Sequence, residues 1–245
     1  MIDQKYFATA SWDSNFFGFP IGRIISGRIT AEISAALPSW AKENKIRCMY
    51  FLCDSSSEES FDYACKLGFQ LIDIRMTLHC NLTNSPVTQS QKPSNWHISY
   101  VESCAPEPLA EISRGIYRDS RFYTDRKFDS KKADELFTTW VTKSCKGMAD
   151  GIVIAKNTHG EVCGYVTLHR TENRNPKIGL FCVSASSSGR GLGGEMLSFL
   201  KSNILKDEGD LEVVTQGRNI PAQRLYQKHD FRTSQVQLWF HRWFY

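Results

Sequence analysis

The chain has no apolar run of membrane length, and no basic segment followed by an apolar one stands at its start. A bilayer span takes about 20 consecutive apolar residues, and a secretory leader needs that basic-then-apolar order. The expectation is therefore a cytoplasmic protein with no membrane partner. Paired cysteines are missing too. The eight cysteines, at 48, 53, 65, 80, 104, 145, 163 and 182, form no C-x-x-C and sit mostly inside apolar runs, which argues for reduced, buried thiols and against a disulfide framework or a metal site. A surplus of one charge is also lacking. The net charge of +4 over 245 residues is dispersed, too little for a nucleic-acid surface but suited to an anionic small substrate. With 41% hydrophobic and 23% charged residues, the composition is that of a globular protein of one large or two small domains.

Glycine, in contrast, is concentrated. Ser188-Gly189-Arg190-Gly191-Leu192-Gly193-Gly194 lies between a strand-like run, Ile178 to Val183, and a helix-like run, Glu195 to Lys206. Glycines there let backbone N–H groups close on a phosphate at the positive end of a helix. A nucleotide P-loop is excluded, because no Lys followed by Ser or Thr closes the run. Gly189, Gly191 and Gly194 do satisfy G-x-G-x-x-G, with Asp207, Glu208 and Glu212 near the place of a ribose-binding acid. A dinucleotide domain, however, opens with this loop and needs several βα units after it, and only 51 residues follow Gly194. The favoured reading is the pyrophosphate loop of an acyl-CoA transferase.

A second constellation agrees. After the strand Leu211 to Thr215 comes Asn219-Ile220-Pro221-Ala222-Gln223-Arg224-Leu225-Tyr226-Gln227-Lys228-His229-Asp230-Phe231. Here the chain resembles the GNAT superfamily of acyl-CoA-dependent N-acyltransferases, in which an Asn, an Ala, a Leu-Tyr pair and a terminal Phe recur at this spacing and the Tyr hydroxyl faces the thioester sulfur. His229-Asp230 replaces the usual Leu-Gly or similar pair. The family's Q/R-x-x-G-x-G/A is met less fully, with Ser188 at the first position while Gly191 and Gly193 fit. Alone, Tyr226 reads as a packed helix tyrosine and Asn219 as a helix N-cap. Together with the loop they carry the family pattern, and an N-cap uses only the side-chain oxygen of Asn219.

The polar segment Asn81 to Asn95, with two prolines, reads as a linker. It divides the chain into an N-terminal α/β domain, residues 1–80, and a GNAT domain, residues 96–245. The N-terminal part shows a helix (Ala31 to Glu43), a strand (Arg47 to Leu52), a helix (Ser60 to Leu67) and a strand (Gln70 to His79). The C-terminal part shows helices around Pro108 to Tyr117 and Lys131 to Cys145, strands Ile152 to Ala155 and Val162 to Arg170 about a hairpin at Thr158-His159-Gly160, the glycine-loop unit, a helix Ile220 to Lys228 and a last strand Phe231 to Phe240. The aromatic tail after Leu238 reads as strand followed by packing or dimer contacts. A faint repeat pairs Ala64 to Phe69 with Tyr226 to Phe231, and nothing before Ala64 resembles the glycine loop. The expected fold class is thus α/β with a mixed sheet, a GNAT C-terminal domain joined to a smaller, degenerate, cofactor-free GNAT-like domain.

Within the superfamily, Ser11 to Pro20 (SWDSNFFGFP), Ser120-Arg121-Phe122-Tyr123 and Trp140 make the chain similar to the dTDP-fucosamine acetyltransferases. That resemblance implies acetyl-CoA or another short acyl-CoA as co-substrate and a nucleotide-linked amino-dideoxy sugar, of polysaccharide synthesis, as acceptor. It implies Tyr226 as the acid that protonates the departing thiolate. Phe181, Cys182, Val183, Gly189, Arg190, Gly191, Leu192, Gly193, Gly194, Asn219 and Ala222 are implied for the acyl-CoA, and Trp12, Asn15, Phe17, Arg121, Phe122, Tyr123 and His169 for the acceptor. A hydrophobic plug is the alternative for Trp12, Phe16, Phe17 and Phe19, and a surface charge for Arg121. No residue stands out as the base that deprotonates the amine; His169, Glu172 and a water chain are the candidates. Protein or polyamine acylation, and a non-catalytic binding module, stay open, as do the sugar isomer, the acyl length and a homodimeric state.

Overall fold

The computed structural model describes residues 3–83, 94–170, 175–206 and 208–244. Most of the linker, Glu172 and Asp207 lie outside the described residues. In chain order the elements are α1 (Asp3–Tyr6), β1 (Phe7–Thr9), α2 (Ser11–Phe17), β2 (Ile21–Ile24), α3 (Ala31–Glu43), β3 (Cys48–Asp54), α4 (Glu58–Lys66), β4 (Gln70–Asn81), β5 (His97–Val101), α5 (Glu107–Ser113), α6 (Arg121–Thr124), α7 (Ser130–Lys143), β6 (Gly151–Lys156), β7 (Val162–His169), β8 (Lys177–Val183), α8 (Leu192–Phe199), β9 (Asp210–Gln216), α9 (Ile220–Lys228) and β10 (Arg232–Trp243).

Local chemistry sets several of these bounds. Thr30 caps α3 by accepting the Ile33 N–H, and Asp129 caps α7 through the Lys131 N–H, each satisfying a donor the first helical turn leaves free. The helix expected to run from Pro108 to Tyr117 stops at Ser113, just before Gly115, whose φ of +70° turns the chain out of the helix. The helix after the glycine loop starts at Leu192, three residues before Glu195, because glycine at 193 and 194 lets it approach α9: a Cβ would stand 3.0 Å from Leu225 Cδ2 at Gly193 and 2.7 Å from His229 Nε2 at Gly194.

The ten strands of the described residues join one mixed sheet in the order β1-β2-β3-β10-β4-β9-β8-β7-β6-β5. The two sequence blocks interleave at its centre. β10 lies antiparallel between β3 and β4, and β4 lies antiparallel between β10 and β9. The aromatic tail therefore belongs to β10, paired through Trp243 with Cys48, and the final strand ends three residues beyond its apolar pattern.

The faint repeat proves structural. β3, α4 and β4 recur 162 positions later as β9, α9 and β10, with matching ends (Cys48–Asp54 and Asp210–Gln216, Glu58–Lys66 and Ile220–Lys228, Gln70–Asn81 and Arg232–Trp243). Each unit is preceded by a parallel partner, β2 beside β3 and β8 beside β9. The correspondence reaches further than the sequence suggested, since Ser26-Gly27-Arg28 stands 162 positions before Ser188-Gly189-Arg190. Each half places its return strand beside the other's, about a pseudo-twofold axis between β4 and β10.

Strand alternation then divides two faces. On one face Met49, Phe51 and Phe240 pack with Leu37 and Trp40 of α3 and Ala64 of α4, and Leu78 and Val213 pack with Met196 of α8 and Tyr226 of α9. On the other, Cys48, Tyr50, Trp239 and Trp243 meet α2, α6 and α7, while Ile152, Tyr165 and Cys182 meet α5 and α7.

This topology makes the halves interdependent, because removing residues 3–83 takes β4 from between β9 and β10 and leaves their backbone donors and acceptors unpaired. Residues 94–245 expressed alone are expected to aggregate or to lose sharp thermal unfolding. Adding residues 1–93 in trans should restore a single transition in calorimetry.

Candidate functional site

The glycine loop ends β8 and opens α8. Gly189 and Gly191 hold φ of +73° and +90°, a region that favours glycine, and a Cβ on either would meet nothing within 4 Å. The backbone N–H groups of residues 189 to 193 find no acceptor among the described residues. A row of free donors at a helix N-terminus is an anion cradle. Leu192 is buried in the core, so its contribution there is its N–H alone. Gly193 and Gly194 also serve the α8–α9 packing already noted. Arg190 is exposed and reaches over the Trp96 ring at 5.9 Å. Beside the loop lies a groove of about 920 Å³, lined among others by Trp96, Lys156, His159, Ser186 and Arg190.

β8 and β9 pair only at Lys177 with Glu212 and Ile178 with Val213. Beyond these the strands part, leaving a wedge between Gly179–Val183 and Val214–Gln216. On β8 the Ser184 N–H bonds the Cys163 carbonyl at 2.8 Å, so even-numbered residues turn their backbone to β7 and Phe181 and Val183 turn theirs to the wedge. Cys182 presents neither backbone nor side chain to the wedge. Its thiol packs under α5, donates to the Ile112 carbonyl at 3.4 Å and is pushed up to about 12 by burial, which makes it an inert core residue.

Tyr226 reaches the wedge from α9. It is 4% exposed and packs edge-on to Phe181 at 6.0 Å. Its hydroxyl has no hydrogen-bond partner among the described residues, yet it is not one of the sealed orphan atoms, which are Tyr50 Oη, Ser120 Oγ, Ser144 Oγ and Arg242 Nη1, so it opens onto accessible space. Burial raises its pKa and keeps it protonated. Asn219 caps α9 by accepting the Ala222 N–H at 3.1 Å, leaving its amide nitrogen without a partner among the described residues. Tyr117, which the sequence reading did not single out, stands across from Tyr226. Its hydroxyl lies 2.9 Å from that of Tyr165, itself 2.7 Å from Ser113 Oγ, and 3.5 Å from the Phe181 carbonyl. Burial first, then Tyr165, Cys182 and Tyr226, raises its pKa.

The residues expected on the acceptor side differ in their settings. Phe17 and Phe122 are 6% and 3% exposed and stack on each other at 5.2 Å, so they form the hydrophobic plug. Trp12, 36% exposed, stacks on Phe16, Asn15 is exposed, and Tyr123 donates its hydroxyl to Asp134. Arg121 is held rather than free. Its guanidinium lies 4.1, 4.2 and 4.4 Å from the rings of Tyr50, Phe122 and Trp239, 3.7 Å from Asp13 and 3.0 Å from His241 Nε2. His241 Nδ1 is 2.7 Å from Asp125, which also accepts the Trp243 indole N–H at 2.9 Å. Burial pushes the His241 imidazole down to about 4, so at neutral pH it donates to Asp125 and accepts from Arg121. His169, at the end of β7, needs Gly179 opposite it, where a Cβ would fall 2.4 Å from Nε2. Burial lowers its pKa, favouring the neutral ring.

The N-terminal counterpart of the loop differs in one respect that matters. Ser26 Oγ accepts the Arg28 N–H, Ser60 Oγ the Ile29 N–H, and Thr30 Oγ1 the Ile33 N–H, at 3.1, 2.9 and 3.4 Å. Hydroxyls of the chain thus occupy the N–H groups of Arg28 and Ile29, whose equivalents at 190 and 191 stay open. Ala64, buried at 0% exposure, stands where Tyr226 stands in the second unit.

Residues 149–233 match the acetyltransferase (GNAT) domain family. The spore coat polysaccharide biosynthesis protein SpsD of Bacillus subtilis (strain 168) is 24% identical over 164 residues, 66% of this chain and 56% of that protein. The chain thus matches little more than half the length of that relative. A functionally unknown conserved protein of Staphylococcus epidermidis ATCC 12228 superposes with a TM-score of 0.67 at 14% identity, covering 92% of this chain and 85% of the other. The tandem GNAT protein from the clavulanic acid biosynthesis pathway superposes at 0.64 and 14%, covering 91% and 75%. These likenesses establish a shared fold. No group of three or more His, Cys, Asp or Glu among the described residues could hold a metal ion, and no described helix is long and apolar enough to cross a membrane.

The Asp125–His241–Arg121 chain carries a pH signature. Unfolded, His241 would titrate near 6.5, above its folded value of about 4, so stability from the neutral ring is present above pH 6.5 and is lost as pH falls towards 4. His241→Phe should cost about 2–4 kcal/mol at pH 7 by stranding Asp125 and Arg121. Urea titrations from pH 4.5 to 6.5 should show this variant losing a slope component of up to about 1.4 kcal/mol per pH unit.

Proposed function

We propose that this chain, whose C-terminal half carries a GNAT acetyltransferase domain, transfers an acyl group from acetyl-CoA or another short acyl-CoA to the amine of a nucleotide-linked amino-dideoxy sugar, with dTDP as the nucleotide. The observation that carries the acyl-CoA part is the row of unsatisfied N–H groups at residues 189 to 193 beside the β8–β9 wedge. Those donors fit a pyrophosphate. The wedge fits an extended arm that pairs with the backbone of Phe181 and Val183, and Asn219 offers its free amide to a carbonyl of that arm. The groove at Trp96, Lys156 and Arg190 supplies a ring face and two cations for the nucleotide end. For the sugar, support comes from the SWDSNFFGFP and Ser120-Arg121-Phe122-Tyr123 segments, which α2 and α6 bring together, and from the similarity to a polysaccharide biosynthesis protein. Arg121 would give the acceptor side a fixed positive charge, held by His241 and Asp13, with Trp12 and Asn15 at the exposed rim.

The chemistry asked of the protein is mainly placement. A neutral amine held against the thioester reacts directly, and alignment alone is worth several kcal/mol. The Phe181 or Val183 N–H, turned to the wedge, would polarise the thioester oxygen. Tyr226 keeps its proton because it is buried, and its hydroxyl opens where the leaving sulfur would lie, so it donates to the thiolate as the carbon–sulfur bond breaks. Tyr117, bonded to Tyr165 and through it to Ser113, is held opposite Tyr226 by a line of buried hydroxyls.

Tyr226→Phe keeps the ring and its packing on Phe181. It should lower kcat by about 10- to 1,000-fold with both KM values nearly unchanged, measured with acetyl-CoA and a dTDP-linked amino sugar. Wild-type turnover in this variant at pH 7 would make Tyr226 a packing residue.

A further inference from the structure

β4 belongs to the N-terminal sequence block but lies inside the sheet of the C-terminal one, and one face of it carries a polar series: His79, Thr77, Arg75 and Asp73. Three of the four find side-chain partners. His79 approaches Glu212 at 3.4 Å, and Arg75 bonds Gln237 at 2.6 Å and Thr77 at 3.2 Å. Asp73 does not. One carboxylate oxygen takes the Ile74 N–H at 2.8 Å; the other has no hydrogen bond among the described residues, and it is not one of the sealed orphan atoms. The residue is 5% exposed and pairs across the strands with Trp239, whose ring lies over Arg121. Trp239 shares a packing cluster with Tyr117 and Leu180 of β8, so Asp73 lies on the face that meets the β8–β9 wedge from the side opposite Tyr226.

We propose that Asp73 is the acidic group of the acceptor site: it receives the acceptor's ammonium in an aromatic setting beside Arg121 and takes the proton that frees the amine. The inference rests on the acyltransferase reading but not on the sugar. The protons balance. R–NH3+ and the Asp73 carboxylate become R–NH2 and the carboxylic acid, which returns its proton to solvent. The amine forms the carbon–nitrogen bond, the carbon–sulfur bond breaks, and the second amine proton is the one that ends on sulfur, by way of Tyr226. Burial raises the Asp73 carboxyl to about 6, against the Ile74 N–H, Arg218 and Arg121, which lower it, and alongside Asp119, which raises it. A base in that range is matched to neutral pH.

The same burial gives Asp73 a stability signature, and the pH profile of turnover supplies the readout that a purely structural carboxylate would not move. Unfolded, Asp73 ionises near 3.8 and folded near 6, so between these values the folded state holds the proton more tightly and stability falls as pH rises. The cost persists at pH 7, and Asp73→Asn should raise Tm there by a few degrees. In the same variant kcat/KM for the amine should fall by about 30- to 1,000-fold, the acid limb near pH 6 should vanish from the pH profile, and calorimetric affinity for acetyl-CoA should stay within twofold. A panel of dTDP-amino sugar, polyamine and peptide amines separates this inference from the reading beneath it. Turnover of a non-sugar amine with the same Asp73→Asn losses sinks the sugar and keeps Asp73. Wild-type-like turnover, a retained acid limb or a lowered Tm in the variant overturns Asp73. No turnover of any amine by the wild type overturns both.

Discussion

The antiparallel pairing of β4 with β10 is the contact on which the rest of the molecule depends. Each strand lies between the other and a strand of the opposite half, so neither half completes its sheet without the exchange. The registers on either side are symmetric, Gln237 with Asp54 through Trp243 with Cys48 and Arg75 with Gln216 through Asn81 with Asp210. One ladder thus fixes where both aromatic clusters, both helical layers and the β8–β9 wedge lie. It also carries residues of α2 and β4 to the face that α6 and Trp239 of β10 share, the face proposed to hold the acceptor.

Duplication has been resolved asymmetrically. Both halves keep the parallel strand pair, the turn with Ser-Gly-Arg and the helix after it. In the second half Ala222 and Leu192 stand where the first half has Ser60 and Thr30, so donors remain unpaired in the turn, and Tyr226 stands where the first half has Ala64. Unsatisfied donors and a buried phenol both cost stability, and the second half retains both. In the first half the hydroxyls turn inward to its own backbone.

What the sequence displayed and what it hid follow from range. The glycine loop and the Asn219–Phe231 segment are contiguous, so their chemistry is visible in one stretch of chain, and Ala31–Glu43 and Ile220–Lys228 are helices whose ends are marked by local caps. Short strands such as Phe7–Thr9 and Ile21–Ile24 carry too few residues to show a period. Arg121 was noticed, but its burial among Tyr50, Phe122 and Trp239 depends on strands far apart in sequence. Asp73 did leave a trace, a lone charge inside Leu71-Ile72-Asp73-Ile74. Its meaning lies in the partners it lacks, and those are set by pairings with β9 and β10 that local pattern does not reveal.

The central ladder also bears on how the chain is made. Its pairs run from Arg232 with His79 to His241 with Gln70, separations of roughly 150 to 170 residues that place much of the native topology at high contact order, where loop closure precedes reward and folding is slow. During synthesis β3 and β4 emerge long before the strand that fills the space between them. Until β10 arrives both carry open, apolar edges, the kind of surface that recruits foreign strands. A nascent chain of this design is exposed to misassembly for most of its translation, and the burden on chaperones should track the delay to the last strand rather than the stability of the finished sheet.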